Sequence, residues 1–428
     1  MRRSGEALAG ESSPPDRAAV ALSVAMGSEQ MFASRTNWRL DPNRFAKAVE
    51  EHRRRGKPLF DLTNSNPTRC GFHYPEERLF AAMSRRRALQ YEPESKGLLR
   101  ARQAIGDYYR GRRGFFCGEA AVDPERIVIT SSTSEAYHYV FRLLCEVGDE
   151  ILVPAPSYPL FEYLADLADV RPVPYPLLYD QGWQVDFTGL NAALTQRSKA
   201  VVVVHPNNPT GSFVREEEAR KLAEICASHE LGIIADEVFL DYADEPQPRA
   251  TFALASPALT FTLSGLSKIC LLPQLKVGWM VVSGPKELAT TALERLEVIG
   301  DTYLSPSTPT QLALTEMIDL RASLQAQMCQ RLSSNLRFLD DAFRKGGVVT
   351  RLKREGGWYA VLQVPATRSD EDLAIELLES CDVLVHPGHF FDFPRDGFLI
   401  VSLIVGESEF QNGVRGLQKF FSSASHNE

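Results

Sequence analysis

The chain has no uninterrupted apolar run near the roughly 20 residues that a membrane-spanning helix requires, so such a helix is excluded. It is also short of positive charge, with 47 Lys and Arg against 55 Asp and Glu and a formal net charge of -8. Broad binding to nucleic acid or to an acidic membrane surface needs concentrated cations, so neither is expected as a partner. Seven cysteines are scattered along the chain with no C-x-x-C pair. That pattern is neither a disulfide framework nor a zinc site, and it suits a reducing, cytoplasmic setting. Histidines 205, 386 and 389 do not fall in an H-E-x-x-H spacing, so no metal is expected. What remains is an ordinary globular composition, 44% hydrophobic and 24% charged over 428 residues, enough for two or three domains. Residues 1 to about 35 read as a disordered tail, poor as a secretory signal, with the effective start near Met31.

Two β-branched runs set the architecture. Ala200 to Val204 ends at His205-Pro206, and Leu231 to Ala235 ends at Asp236-Glu237. Both read as strands covered on two faces. Between them, Ala219, Leu222, Ala223, Ile225 and Cys226 recur at helical spacing, which makes the unit β-α-β with a parallel sheet. Further strands are expected at Ile127 to Thr130, Glu150 to Val153, Leu259 to Leu263 and Val277 to Val282. The fold class is therefore α/β, a large domain with an open, mostly parallel, doubly wound sheet. After about Gln311 a long helical stretch to Phe343 precedes short strands near Val348, Trp358 and Phe398, a smaller α/β domain. The expected boundaries are 86–314 for the large domain, with 36–85 and 315–428 forming the small one.

Polar residues gather where the strands end: Thr130-Ser131-Ser132, His205 to Gly211, Asp236, and Ser264 to Lys268. Ligands of open parallel sheets bind beyond the carboxyl ends of the strands, so these segments should line one crevice. Lys268 stands out there, because a lysine held in a turn of small and hydroxyl residues can be partly neutral and form an imine with an aldehyde.

Asn207-Asn208-Pro209-Thr210-Gly211, Asp236-Glu237-Val238-Phe239 and Ser267-Lys268, in that order, resemble the N-P-T-G, D-E-x-Y and S-K motifs of the fold-type-I pyridoxal-phosphate enzymes. The resemblance is to the class I/II aminotransferases and covers roughly residues 40 to 420. It implies pyridoxal 5'-phosphate as cofactor, bound as a Schiff base on Lys268, which also serves as the catalytic acid/base. It implies that Asp236 keeps the pyridine nitrogen protonated and that Asn208 bonds the cofactor's 3-oxygen. Ser132, Thr133 and Ser134 open a helix and would meet the phosphate there. Ser264 and Lys276 would add its other side, Tyr158 would stack on the ring, and Tyr91 would reach the phosphate of a neighbouring subunit in a homodimer. The substrates implied are a small-molecule amino donor and an oxo-acid acceptor.

Three departures accompany the matches. Lys276 stands where arginine is usual, a point charge instead of a bidentate fork. Phe239 replaces a tyrosine, so the phenolic oxygen of the cofactor loses a donor and the imine pKa should rise. Ile400, in Gly397 to Ser402, occupies the slot of the arginine that clamps the substrate carboxylate, and Ser65 replaces a glycine that contacts it. Arg395 and Lys353 are the candidate substitutes. These changes motivate an alternative, a lyase, decarboxylase or bond-forming enzyme of the same fold. A ligand-binding transcriptional regulator is disfavoured, because about 35 residues before the motifs cannot hold a helix-turn-helix arm.

Overall fold

Strands β1 (Phe60–Asp61), β2 (Ile127–Thr130), β3 (Glu150–Ala155), β4 (Arg171–Tyr179), β5 (Trp183–Val185), β6 (Ser198–Val204), β7 (Gly232–Asp236), β8 (Thr260–Gly265) and β9 (Gly278–Ser283) precede five more toward the C-terminus. These are β10 (Thr350–Arg351), β11 (Tyr359–Gln363), β12 (Val383–Leu384), β13 (His386–Pro387) and β14 (Phe398–Ser402). The structure, a computed structural model, describes residues 31–38, 40–118, 121–245, 249–304, 306–344 and 347–424. Most of the expected disordered tail, residues 1–30, lies outside the described residues. Of the first unit, Met1–Asp41, the structure describes little more than a single 3-10 turn at Ser34–Thr36.

Within the second unit, Pro42–Glu428, eight strands form one sheet in the order β2-β9-β8-β7-β6-β3-β4-β5. The run β8-β7-β6-β3-β4 is parallel throughout. Every residue of β7, β8 and β9 is buried, as expected of strands with helices on both faces. The helix Glu216–Ser228 joins β6 to β7 and buries Ala219, Leu222, Ala223 and Cys226, the stripe its spacing predicts. Full burial of each larger apolar side chain here contributes about 1.5–3 kcal/mol.

The large sheet is mostly parallel, as expected, with antiparallel pairings at its two ends. β9 runs antiparallel to both β8 and β2. A parallel return needs a crossover of a dozen or more residues, usually a full helix over the sheet. Between Gly265 and Gly278 the chain forms only the one-turn helix Leu266–Ile269 and a 3-10 turn, so it folds straight back and pairs Gly265 with Gly278. Lys268 and Lys276 therefore share one tight connection at the end of the sheet where β7 also finishes.

The second sheet is antiparallel, ordered β10-β11-β14-β13, and β1 pairs separately with β12. The helix Thr308–Phe343, 36 residues long, runs between the two sheets in sequence and buries Leu312, Leu324, Met328 and Leu339 along its length.

Candidate active site

β2 ends at Thr130, and the chain enters the helix Thr133–Leu144 through Ser132 as N-cap. The Ser132 hydroxyl accepts the Glu135 N–H at 3.1 Å, and the Glu135 carboxylate accepts the Ser131 N–H at 2.6 Å. This reciprocal cap leaves the Ser132 O–H free to donate, and it leaves the first backbone N–H groups of the helix pointing outward, where an anion is favoured. Strand β9 packs tightly on that helix start. A Cβ on Gly278 would lie 2.7 Å from the Ser132 carbonyl carbon and 2.9 Å from the Thr133 nitrogen, so only glycine fits there. Lys276, two residues earlier, adopts left-handed φ of 51° and faces the same cavity.

That cavity, of about 300 Å³, is lined by Ser132, Thr133, Ser134, Tyr158, Asn208, Asp236, Phe239, Lys268 and Lys276. Nine of the expected site residues thus come together. Asp236, the last residue of β7, is buried and accepts the Tyr137 hydroxyl at 3.1 Å and the Val238 N–H at 3.1 Å. Burial pushes its carboxyl up to about 6, against the lowering effect of these two donors and of Lys268. Lys268 lines the same cavity, with Nζ 4.7 Å from the Trp358 ring centroid and 5.4 Å from that of Phe239. Phe239 itself is buried and edge-on to Trp358, their centroids 5.2 Å apart. Asn208 is buried and its Oδ1 has no hydrogen-bond partner among the described residues.

Burial lowers the Lys268 amine to about 8, and Asp236 partly opposes the shift. At pH 7 roughly a tenth of such an amine is neutral, against about 0.03% for an ordinary lysine, a ~300-fold gain in nucleophile. Modification of the cofactor-free protein by an amine-reactive reagent, mapped by peptide mass spectrometry, should favour Lys268 near neutrality, with its rate inflecting near pH 8. In Asp236→Asn the inflection should move lower, because the carboxylate that holds the proton is gone. An inflection above pH 10 in the unsubstituted protein would refute the assignment.

Two expected site residues lie elsewhere. Ser264 does not line the cavity: it is still within β8, buried, with its hydroxyl 3.5 Å from the Glu237 carbonyl. Strand alternation turns it to a covered face of the sheet, and Ser267, in the turn beside the lysine, faces the cavity instead. Tyr91 is 72% exposed and is not part of this chain's cavity. Ile400 is fully buried in the core of the second sheet and does not line the cavity either. Of its candidate substitutes, Arg395 packs over the Phe398 ring and Lys353 is exposed, and neither reaches the cavity.

The structure adds residues that sequence reasoning missed or left without a role. Tyr137 orients Asp236 from the buried side of its helix. Tyr359 lines the cavity, as does Ser65, which the sequence places near the substrate carboxylate. Glu237 faces away from the cavity and accepts the Thr251 hydroxyl at 2.6 Å and the Phe252 N–H at 2.7 Å. His205 is structural, with one ring nitrogen 3.0 Å from the Ala250 carbonyl and the other accepting the Val214 N–H. Burial drops its pKa to about 3, which keeps the ring neutral.

The residues present fit pyridoxal phosphate. A buried carboxylate suits its protonated ring nitrogen, the Nδ2–H of Asn208 suits a ring oxygen as its donor, and a helix start beside Lys276 suits its phosphate. The family profile described as aminotransferase class I and II matches residues 63–414. Among curated relatives, the glutamate-pyruvate aminotransferase AlaA of Escherichia coli K12 is 31% identical over 366 residues, covering 84% of this chain and 88% of that protein. An alanine aminotransferase of Mycobacterium tuberculosis is 28% identical over 375 residues, covering 86% of each. An aminotransferase structure from Escherichia coli superposes with a TM-score of 0.79 at 26% identity, over 91% of this chain and 98% of that one. Alanine aminotransferase from Pyrococcus furiosus gives 0.82 at 22% identity, covering 92% and 100%.

Proposed function

The chain belongs to the class I and II aminotransferases and is a pyridoxal-phosphate-dependent transaminase, and from that premise we propose that Lys268 carries the reaction between an α-amino acid donor and a 2-oxo acid acceptor. The observation that carries this reading is the placement of Lys268 and Asp236 in one cavity, where the carboxylate electrostatically favours the ammonium, with the capped start of the helix Thr133–Leu144 lining it too. When bound, pyridoxal phosphate supplies an aldehyde carbon for the amine and an electron-withdrawing ring that makes the substrate α-hydrogen acidic.

The chain's own residues have divided roles in this reading. Lys268 Nζ would hold the cofactor at its aldehyde carbon and would serve as the base that takes the proton from the substrate α-carbon. Asp236 holds the proton on the ring nitrogen, and Tyr137 orients that carboxylate. Thr133, Ser134 and Lys276 hold the phosphate, and Asn208 bonds the ring oxygen. Tyr158 lies on the ring, its hydroxyl kept protonated because burial raises it to about 12. Phe239 supplies an apolar wall and no donor. Tyr359 and Ser65 present hydroxyls on the substrate side.

Tyr91, exposed on this chain, reaches the second cavity of a homodimer, and its place on the surface is what that role needs. Residues 86–314 act as the cofactor-binding part and the flanking segments 36–85 and 315–428 as the smaller part. A cytoplasmic setting accords with seven free cysteines. No helix among the described residues is long and apolar enough to cross a membrane. The relatives named for alanine, glutamate and pyruvate make small amino acids and their oxo acids the first substrates to try. The lyase or decarboxylase alternative is not favoured, since the family profile and the relatives named above are those of aminotransferases.

The test is isotopic. Protein loaded with pyridoxal phosphate is given ¹⁵N-labelled alanine or glutamate with an unlabelled oxo acid, and the product amino acid is examined by mass spectrometry. Transfer of ¹⁵N with ping-pong kinetics is expected. No transfer from any member of a panel of amino acids would overturn the reading.

A further inference from the structure

The one-turn helix that carries Lys268 has four residues, Leu266–Ile269. A helix this short has no stability of its own, because nucleation costs more than one turn of hydrogen bonds returns. Its last carbonyls also lack partners within the helix. Two side chains from distant segments donate to them, and a third donates to a carbonyl just beyond the helix. The Tyr242 hydroxyl donates to the carbonyl of Lys268 itself at 2.5 Å. The Gln325 amide, on the long helix Thr308–Phe343, donates to the Ile269 carbonyl at 2.9 Å. The Tyr74 hydroxyl donates to the Leu271 carbonyl at 2.8 Å, where the chain takes a left-handed φ of 55°.

These donors are themselves held. Gln325 also donates to Asp241 Oδ2 at 2.7 Å, and Asp241 in turn accepts Tyr108 and is ion-paired with Arg112. Tyr242 packs edge-on to Trp358, the ring beside the lysine amine, with centroids 5.4 Å apart. Burial raises its phenol well above the ordinary value, so it remains a donor across the working pH range. Tyr242 lies six residues after Asp236 on the same segment. One stretch of chain therefore sets a carboxylate that lines the cavity and also holds the main chain of the lysine that lines it.

We infer that Tyr242 and Gln325 are positioning residues for Lys268, clamping the carbonyl end of its one-turn helix so that the amine enters the cavity from a fixed direction. The inference rests on the role proposed above for Lys268. Proton transfer depends steeply on such alignment, since a misplacement on the order of 1 Å can cost roughly 10²-fold.

The test uses Tyr242→Phe, which keeps the ring against Trp358, and Gln325→Met, which keeps the volume. In each loaded variant kcat should fall about tenfold with KM for the amino donor unchanged. The pH inflection for Lys268 modification in the cofactor-free variant should move upward from about 8, as the amine escapes its desolvated place. A variant with a lower melting temperature but unchanged kcat and inflection would show a merely structural role and overturn the inference. If one variant does not fold, the other carries the test. Lys268→Ala separates the two ideas: activity surviving in it sinks the function, whereas its loss beside full activity in Tyr242→Phe and Gln325→Met sinks only the clamp.

Discussion

Replacing Lys268 by alanine should reduce transamination by at least ~10³-fold, because the substitution removes both the group that anchors the cofactor and the base that moves the α-proton. General acid–base catalysis alone contributes roughly 10²–10⁴-fold, and the loss of the anchor adds to that. Lys268→Arg should be equally inactive. A guanidinium stays protonated at any working pH, so restoring the positive charge restores neither nucleophile nor base. Alanine leaves room in a cavity of about 300 Å³, so small primary amines added to the medium should recover part of the rate. The recovery should increase with the basicity of the amine, since the missing function is proton transfer. Steady-state rates for the two variants with and without methylamine decide the matter, and a residual activity above one tenth in Lys268→Ala would rule the lysine out of the chemistry.

Asp236 and Asn208 were legible in the sequence because each follows a β-branched run, which marks both a buried parallel strand and its end, and Lys268 because it follows the strand-like stretch 259–263 in a turn of small and hydroxyl residues. The polar residue at that end has one place to go, the crevice beyond the sheet. Ser264 fails the same logic by a single step. β8 continues to Gly265, so Ser264 still obeys strand alternation and points to a covered face of the sheet, while Ser267 in the turn takes the position expected of it. Strand direction was hidden as well. The runs 260–265 and 278–283 look alike whether parallel or antiparallel, and only the connection, too short for a crossover, forces the reversal that brings Lys268 and Lys276 together.

Tyr137 and Tyr359 left no usable local signal, since their roles depend on which distant element each meets, whereas Ser65, singled out in the sequence, does line the cavity. Ile400 shows the limit of slot matching on a covered sheet. All five residues of β14 are buried, so the strand has no polar and apolar alternation to say which of its residues faces a cavity. The clamp on the lysine's helix was equally silent, because a tyrosine and a glutamine far apart in sequence carry no mark of the carbonyls they meet.

Asp236→Asn should lose activity and gain stability, and the two effects have one cause. The carboxylate is costly to bury: its pKa, near 3.8 in the unfolded chain, rises to about 6 in the fold. Between those values the folded state binds the extra proton. The stabilising contribution of the protonated form is thus fully present below about pH 4 and lost as the pH rises through about 6. Above pH 6 the ionised group therefore weighs against folding, by an amount on the order of 3 kcal/mol. A neutral asparagine removes that penalty. Tyr137 and Val238 now both donate to the carboxylate, and one of them would face an N–H instead. The Tyr137 hydroxyl can turn and accept from it, so much of the gain survives and the cofactor-free variant should melt higher at pH 7.5 but not at pH 4.5. Activity moves the other way. Breaking a buried charge pair costs about 3–5 kcal/mol, and here it is the partner of the protonated ring nitrogen that disappears. The expected fall in kcat is roughly 10²–10⁴-fold, with weaker cofactor retention on dialysis. Melting curves at the two pH values beside kcat test both halves, and a variant that is destabilised at pH 7.5 or keeps its full rate would show that the carboxylate is not poised against the cofactor.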